Sequence, residues 1–246
     1  TYGFPPELTA EIARENGLDV DMEGFEREME AQRERARAAH GFGGAMEMLP
    51  TYENLGVDNV QFVGYQSLAQ ASVVTALLVD DAPVGHAAKG QQVQLVLAET
   101  PFYAEGGGQV GDAGTIYGPN GRVQVVDTHA PVAGLIVHQG VVEEGDISLG
   151  EQVEARVDAT RRMDAARNHS GTHLLHAALR QVLGPHVRQA GSLVAPDRLR
   201  FDYSHVSPLS REELLDIQGL ANQKVQENLE VRTRESSYAE AVQEGA

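Results

Sequence analysis

Val73-Val74-Thr75-Ala76-Leu77-Leu78-Val79 is a run of aliphatic and β-branched side chains that ends at the polar turn segment Asp80-Asp81-Ala82-Pro83. A short apolar run bounded by a turn signal is typical of a buried β-strand. Three further runs of this kind follow along the chain: Gln92–Leu97, Arg122–Val126 and Gly134–His138. Such regularly spaced short strands predict a small antiparallel barrel or sandwich from Val60 to about Val157.

The glycine and proline residues between these runs locate the turns. Pro119-Asn120-Gly121 separates two extended stretches and predicts a hairpin. Gly106-Gly107-Gly108-Gln109-Val110-Gly111 has the glycine spacing of a dinucleotide-binding loop, but an extended pattern follows it where that motif needs a helix. A Rossmann site is therefore disfavoured. A tight turn and a close approach of backbone to a ligand both stay open.

Helical patterns flank the predicted barrel. Residues 1–39 are rich in helix-forming side chains, and the glycine-rich segment 40–44 ends that pattern. C-terminal to the barrel, helix and strand patterns alternate: a helix at 158–185, a hairpin at 190–201, a helix from Ser210 to about Leu229, a strand at 230–234 and a short helix at 237–243. Ser210 and Glu213 form a capping-box pattern at the start of the second of these helices.

These patterns predict an α+β fold in three parts. Residues 1–44 are a helical segment, residues 45–157 contain the small antiparallel β-barrel, and residues 158–246 form a two-layer α/β domain with helices on an antiparallel sheet.

Composition narrows the classes of partner. The net charge of −17 disfavours a nucleic-acid-binding surface over the whole chain, and we expect no DNA partner. No stretch approaches the length of a membrane span, and with no cysteine the default compartment is the cytoplasm. The charge is uneven, since Arg161 to His205 contains seven arginines and three aspartates. Solvated faces or an anionic substrate could explain this basic segment.

His169 and His173 are the strongest candidates for chemistry. Residues four apart share one face of a helix, which is how a helix offers two nitrogens to one zinc ion. His176 lies one turn further along. Two histidines do not complete a tetrahedral site, and ordinary packing stays open as their role. The other histidines that composition offers as ligands are His129, His138, His186 and His205.

Two longer motifs, Thr100–Asp112 and Arg167–His176, together resemble the editing region of the alanyl-tRNA synthetase family. Their order and separation also fit that family. The opening Gly3–Thr9 and the helical stretch Gly24–Arg37 resemble the end of the helical tRNA-recognition part of the same enzymes. The resemblance covers nearly the whole chain.

The resemblance implies a proofreading hydrolase that cleaves Ser-tRNA(Ala) or Gly-tRNA(Ala). By motif, His169 and His173 would be zinc ligands, and Gln109 would lie in the pocket near the misacylated adenosine. Thr100 and Glu105 are weaker candidates for the same pocket. The expected partners are the acceptor end of tRNA(Ala) and the rest of the synthetase chain, without a membrane.

Three arginines of the basic segment are the candidates for tRNA contacts. Arg161, Arg162 and Arg167 precede the histidine pair on the same predicted helix, and each would neutralise a phosphate if it reached one.

The family completes its zinc site with a Cys-x-x-x-His element C-terminal to its last helices. The sequence here has no cysteine and ends at Ala246, so we expect those ligands beyond residue 246 of a longer protein. ATP and Mg²⁺ would belong to the aminoacylation domain, which we expect outside this sequence too.

Two other functions remain possible from sequence. The chain could be a non-catalytic module that binds the tRNA acceptor stem, because its metal site is incomplete. It could also be an unrelated metallo-hydrolase whose third zinc ligand is His176 or another histidine.

Overall fold

The computed structural model describes residues 50–57, 59–231 and 236–243, with scattered positions between 13 and 29. The chain falls into two compact units, residues 1–56 and residues 57–246. Most of the predicted N-terminal helix and linker lies outside the described residues. The predicted domain boundaries stay a prediction.

The described part of the second unit contains strands and helices in the predicted order. The strands are β1 (Gln61–Phe62), β2 (Ala69–Val79), β3 (Ala82–Pro83), β4 (His86–Ala88), β5 (Gln92–Leu97), β6 (Glu99–Thr100), β7 (Gly114–Tyr117), β8 (Arg122–His129), β9 (Val137–Glu144), β10 (Asp146–Ser148), β11 (Gln152–Val157), β12 (Gln189–Val194) and β13 (Leu199–Tyr203). The helices are α1 (Ala159–Leu183), α2 (Arg211–Glu227) and α3 (Tyr238–Gln243).

A closed antiparallel barrel forms the centre of this unit and confirms the α+β prediction. Six strands pair in the order β2-β5-β9-β8-β7-β11, and β11 closes the ring by pairing with β2. Closure leaves none of these six strands with a free edge. The apolar side of each strand points inward, and the fully buried side chains of the interior include Leu77, Leu95, Phe102, Ile116 and Val123.

The predicted Pro119–Gly121 turn of the barrel is confirmed, and one predicted strand begins later than expected. The Pro119–Gly121 segment joins β7 to β8, and Gly118 N–H donates to the carbonyl of Gly121 at 2.8 Å. The Gly134–His138 run becomes extended only at Val137, where β9 begins. Gly134 instead has a φ of +81°, which suits a turn and is unfavourable within a strand.

Helix α1 packs on the β12–β13 hairpin and on α2, around a small apolar cluster centred on Leu179, Val187 and Ile217. Asp158 caps α1, and its carboxylate accepts from the N–H groups of the first turn. The predicted capping box of Ser210 and Glu213 is present at the start of α2. Both helices therefore begin where the sequence predicts.

The last two predicted elements have different outcomes. Glu230 and Val231 belong to no strand, and residues 232–235 of the predicted 230–234 strand lie outside the described residues. The short C-terminal helix is present as α3. No helix in the described part of the chain is both long and apolar enough to cross a membrane.

Arg162 connects α1 to the barrel through hydrogen bonds from its guanidinium. Its Nε donates to both carboxylate oxygens of Asp112, at 3.0 and 2.9 Å, and Nη2 bonds the same carboxylate. Its Nη1 donates to the carbonyl of Gly64 at 3.0 Å and Nη2 to that of Pro101 at 2.8 Å. The side chain is 14% exposed. Arg162 is therefore an internal anchor in this structure, and its contact with a tRNA phosphate stays a prediction.

A histidine inside the barrel is held neutral by its burial. His138 Nδ1 lies 3.0 Å from the carbonyl oxygen of Leu95, which only accepts, so Nδ1 carries the hydrogen. The hydroxyl of Thr100, 2.7 Å away, donates to Nε2 and accepts from the Phe102 N–H at 3.1 Å. Complete burial lowers the pKa of His138 from 6.5 to about 4.

We expect His138 to weaken the fold as pH falls. Between pH 6.5 and about 4 the unfolded chain protonates this histidine while the folded barrel does not, so stability is lost through that window. The free energy of unfolding should fall by about 1 kcal/mol per pH unit because of this group. Urea unfolding of wild type and His138→Gln at several pH values measures it. Identical pH profiles for the two proteins would contradict the assignment.

Replacing Arg162 by Met should destabilise the protein far more than replacing an exposed arginine. The variant leaves the buried Asp112 carboxylate without its cation, a change that costs about 3–5 kcal/mol. Arg167→Met is the matched control, since Arg167 is 70% exposed in its ion pair with Asp164 and should contribute less than about 1 kcal/mol. Equal urea midpoints for the two variants would contradict the anchor role.

Candidate functional site

The glycine motif forms a tight turn on the outside of the barrel. Gly106 and Gln109 exchange backbone hydrogen bonds of 3.1 and 3.0 Å, and the two residues between them complete the turn. Gly107 has a φ of +60° and Gly108 a φ of +84°, both in the left-handed region that favours glycine. The tight-turn interpretation of the motif is confirmed.

The same loop, residues 106–109, docks on strand β12. Val194 N–H donates to the carbonyl of Gly108 at 2.7 Å, and Val110 N–H donates to the carbonyl of Val194 at 3.0 Å. A Cβ on Gly108 would lie 2.5 Å from Ser192 Oγ and 2.6 Å from its carbonyl oxygen. The close backbone approach is therefore to a strand of the same chain.

Docking brings the two sequence motifs into contact through Gln109 and His169. Gln109 Oε1 lies 2.7 Å from His169 Nδ1, although 60 residues separate them in sequence. An amide oxygen only accepts, so His169 Nδ1 carries the hydrogen and Nε2 keeps its lone pair. Burial lowers the pKa of His169, and the neighbouring His173 lowers it further. Both effects favour the neutral imidazole, the form that binds metals.

His169 and His173 lie side by side on α1. Their ring centroids are 5.1 Å apart with an angle of 24° between the planes. The donor types suit zinc, since two neutral imidazoles are half of a tetrahedral set. Within the ranges that the structure describes, no group of three or more histidine or acidic side chains is placed to hold a metal. We call His169 and His173 the half-site, because they would be two of the four ligands of a tetrahedral zinc ion.

Four other histidines, which the sequence offered as possible ligands, lie in other surroundings. His176 packs against the β12–β13 hairpin with its ring 5.1 Å from that of Phe201. His186 and His205 contact each other at 2.9 Å, and His138 is enclosed in the barrel. None of these four supplies a third ligand in the described structure, so nothing here favours the unrelated metallo-hydrolase.

Two weaker pocket candidates fall on either side of the barrel wall. The side chain of Thr100 is fully buried, and its hydroxyl is engaged by His138 and Phe102. Glu105 is exposed at the start of the glycine loop, where its N–H donates to the carbonyl of Thr128 at 2.8 Å. The structure therefore brings Gln109 to the histidine pair and holds the Thr100 hydroxyl inside the barrel.

Four arginines of the basic segment are paired with aspartates in the fold. Within it Arg167, Arg198 and Arg200 form ion pairs with nearby aspartates, and Arg162 is buried against Asp112. Arg161 is exposed and has no ion pair among the residues described. Of the three predicted phosphate contacts, Arg161 and Arg167 remain at the surface.

Two residues that position the elements of the site were not predicted from sequence. Asn168 lies in the Arg167–His176 motif and Tyr103 in the Thr100–Asp112 motif. Asn168 Nδ2 donates to the carbonyl of Ala195 at 2.7 Å and holds α1 against the β12–β13 turn. Tyr103 donates its hydroxyl hydrogen to the carbonyl of Gly106 at 3.2 Å and supports the glycine loop. The sequence shows both residues within these motifs, but it does not show which carbonyl groups their side chains bind, because those contacts form only in the fold.

Gly108→Ala should undock the loop, whereas Gly107→Ala should not. Both substitutions place a side chain at positive φ, but only the Cβ at position 108 meets Ser192, since position 107 has open space. We expect a loss of about 1–3 kcal/mol for Gly108→Ala and about 1 kcal/mol for Gly107→Ala. Hydrogen exchange of the Val194 amide reports docking directly. Unchanged protection of the Val194 amide in Gly108→Ala would contradict the role of Gly108 in docking the loop on β12.

Comparison with known proteins agrees with the motifs. The family model for class II (A) tRNA synthetases matches residues 1–161. The alanine–tRNA ligase of Roseiflexus sp. strain RS-1 is 50% identical over 246 residues, which are all of this chain and 27% of that protein. The alanine–tRNA ligase of Thermus thermophilus is 50% identical over 252 residues, covering all of this chain and 28% of the relative.

The chain thus spans little more than a quarter of the length of these curated relatives. The resemblance to alanyl-tRNA synthetases that the two motifs indicated is confirmed along the whole chain. This chain belongs to the family of class II (A) tRNA synthetases.

Proposed function

We propose that this chain carries an editing site that hydrolyses the ester of Ser-tRNA(Ala) or Gly-tRNA(Ala). The observation that carries the proposal is the 2.7 Å contact between Gln109 Oε1 and His169 Nδ1, which joins the two motifs into one site. Ligation of alanine to tRNA(Ala) is the activity we propose for the longer protein, in line with the names of its relatives.

The chemistry of the substrates explains the need for a second site. Glycine lacks the methyl group of alanine, and serine adds one hydroxyl to it. A single pocket discriminates such small differences by only about 10- to 200-fold, so hydrolysis of the wrong product must supply the rest.

The residues of the half-site have separable roles in this proposal. Gln109 accepts from His169 Nδ1, which fixes the ring orientation and leaves the Nε2 lone pair free. His173 offers a second imidazole beside it. Zinc held by these two nitrogens and by ligands outside the described residues would polarise the ester or lower the pKa of an attacking water.

Gln109 has a second function available to it. Its amide Nε2 has no hydrogen-bond partner within the described structure, and the side chain is 8% exposed. A nearly buried amide N–H group that still reaches solvent can donate to the ester carbonyl or to a ribose hydroxyl of the terminal adenosine. Such a donor orients the substrate and strengthens as charge develops on the carbonyl oxygen.

The surrounding residues support this site. Thr100 acts through the barrel, because its hydroxyl ties Phe102 at the start of the motif to His138. Glu105 is exposed close to the glycine loop and lies at the rim of the proposed pocket. Arg161 and Arg167 are exposed on α1, and we propose that they contact phosphates of the acceptor end.

Gln109→Ala should slow deacylation of Ser-tRNA(Ala) by about 10- to 100-fold, the usual loss when a metal ligand loses its hydrogen-bonded partner. KM for the tRNA should change little, because most binding energy comes from phosphates. Gln94→Ala is the matched control, since Gln94 is an equally buried glutamine that donates to Asp81 in the barrel wall. Release of labelled serine measures the rate.

Metal analysis separates this proposal from the alternative function. Stoichiometric zinc that is lost in His169→Ala, together with deacylation, supports an editing site. A protein extended to include the remaining zinc ligands that binds tRNA(Ala) with the usual salt dependence but never releases serine would be the non-catalytic acceptor-stem module.

A further inference from the structure

Three aromatic side chains pack together beside the glycine loop, two of them half-buried and one exposed. We call Phe62, Tyr65 and Tyr103 the aromatic step. The rings of Phe62 and Tyr65 meet edge-to-face at 5.0 Å, and those of Phe62 and Tyr103 at 6.2 Å. Tyr65 is 85% exposed, so the fold buries almost none of it. Packing within the protein therefore does not account for this tyrosine.

The turn that presents Tyr65 is rigidly held. The carbonyl of Gly64 accepts from Arg162 Nη1, and a Cβ on Gly64 would clash with the carbonyl oxygen of Pro101. Ser67 N–H donates to the carbonyl of Val63 at 3.2 Å and closes the turn. A turn whose backbone is already ordered loses less entropy when its exposed ring binds a partner, which favours a recognition role.

The aromatic step is continuous with the candidate site. The hydroxyl of Tyr103 donates to the carbonyl of Gly106, which in turn pairs with Gln109. The rings of Tyr65 and Tyr103 both contact that of Phe62, so the two phenols share a neighbour. Tyr65 and His169 thus lie towards opposite ends of one chain of contacts that runs through the glycine loop.

We infer that Tyr65 stacks on a base of the single-stranded 3′ end of tRNA while the terminal nucleotide occupies the Gln109–His169 site. Single-stranded RNA is held chiefly by aromatic stacking together with cations for its phosphates. Arg161 is an exposed cation in the first turn of α1, next in sequence to the Arg162 that binds the Tyr65 turn, and it supplies that charge. This inference rests on the proposed function for the identity of the RNA.

Binding of two tRNA probes tests the inference. Intact tRNA(Ala) and tRNA(Ala) trimmed of its single-stranded 3′ nucleotides are titrated with the chain by fluorescence anisotropy. We expect wild type to prefer the intact RNA. Tyr65→Ala should weaken binding of intact RNA by about tenfold and leave the trimmed RNA unaffected, because stacking on one base is lost. Tyr65→Phe keeps the ring and should bind like wild type.

Tyr117→Ala is the matched control for removal of an exposed tyrosine. Tyr117 is 40% exposed on the barrel, and its ring is already covered by the guanidinium of Arg156 at 5.1 Å. This variant should bind both RNAs as wild type does. A wild type that binds the two RNAs equally, or neither of them, overturns the inference, as does a Tyr65→Ala variant with unchanged affinity for intact RNA.

The failure of the inference can be distinguished from failure of the proposed function. Loss of the preference for intact RNA in Tyr65→Ala, when a protein extended to include the remaining zinc ligands never deacylates Ser-tRNA(Ala), supports the stacking site and refutes editing. Normal deacylation by Tyr65→Ala with an unchanged KM refutes the stacking site alone.

Discussion

The buried ion pair of Arg162 and Asp112 is the interaction on which the rest of this structure depends. One guanidinium binds the carboxylate that follows the glycine loop, the carbonyl of Pro101 that precedes it, and the carbonyl of Gly64. Because both side chains are largely buried from solvent, removal of either partner would leave an uncompensated buried charge. The barrel, the loop and the first turn of α1 are therefore held in one arrangement.

That arrangement determines where the candidate chemistry lies. With its first turn anchored, α1 carries His169 and His173 along the side of the loop. The loop in turn docks on β12 through an approach that the missing side chain of Gly108 allows. Gln109 reaches His169 as a result of these two contacts. The proposed site is thus assembled from barrel, helix and hairpin, none of which contains it alone.

Much of the fold could be predicted because its signals are local. The aliphatic run of β2, the Pro119–Gly121 hairpin and the Ser210–Glu213 capping box each depend on neighbouring residues. Charge was a poorer guide, since a sequence shows an arginine but not its partner. The pairing of Arg162 with Asp112 could not be predicted for that reason, because the carboxylate lies 50 residues away in the chain.

The aromatic step illustrates the same limit, because Tyr65 and Tyr103 acquire a common neighbour only when the turn folds against the loop.

The sequence by itself determined the strand runs, the helix starts, the spacing of the histidine pair and the family. Periodicity, capping and motif spacing are properties of adjacent residues. Only the tertiary structure decided the closure of the barrel by β2 and β11, the burial of Arg162 and the contact of Gln109 with His169. These depend on residues far apart in the chain, whose proximity results from packing.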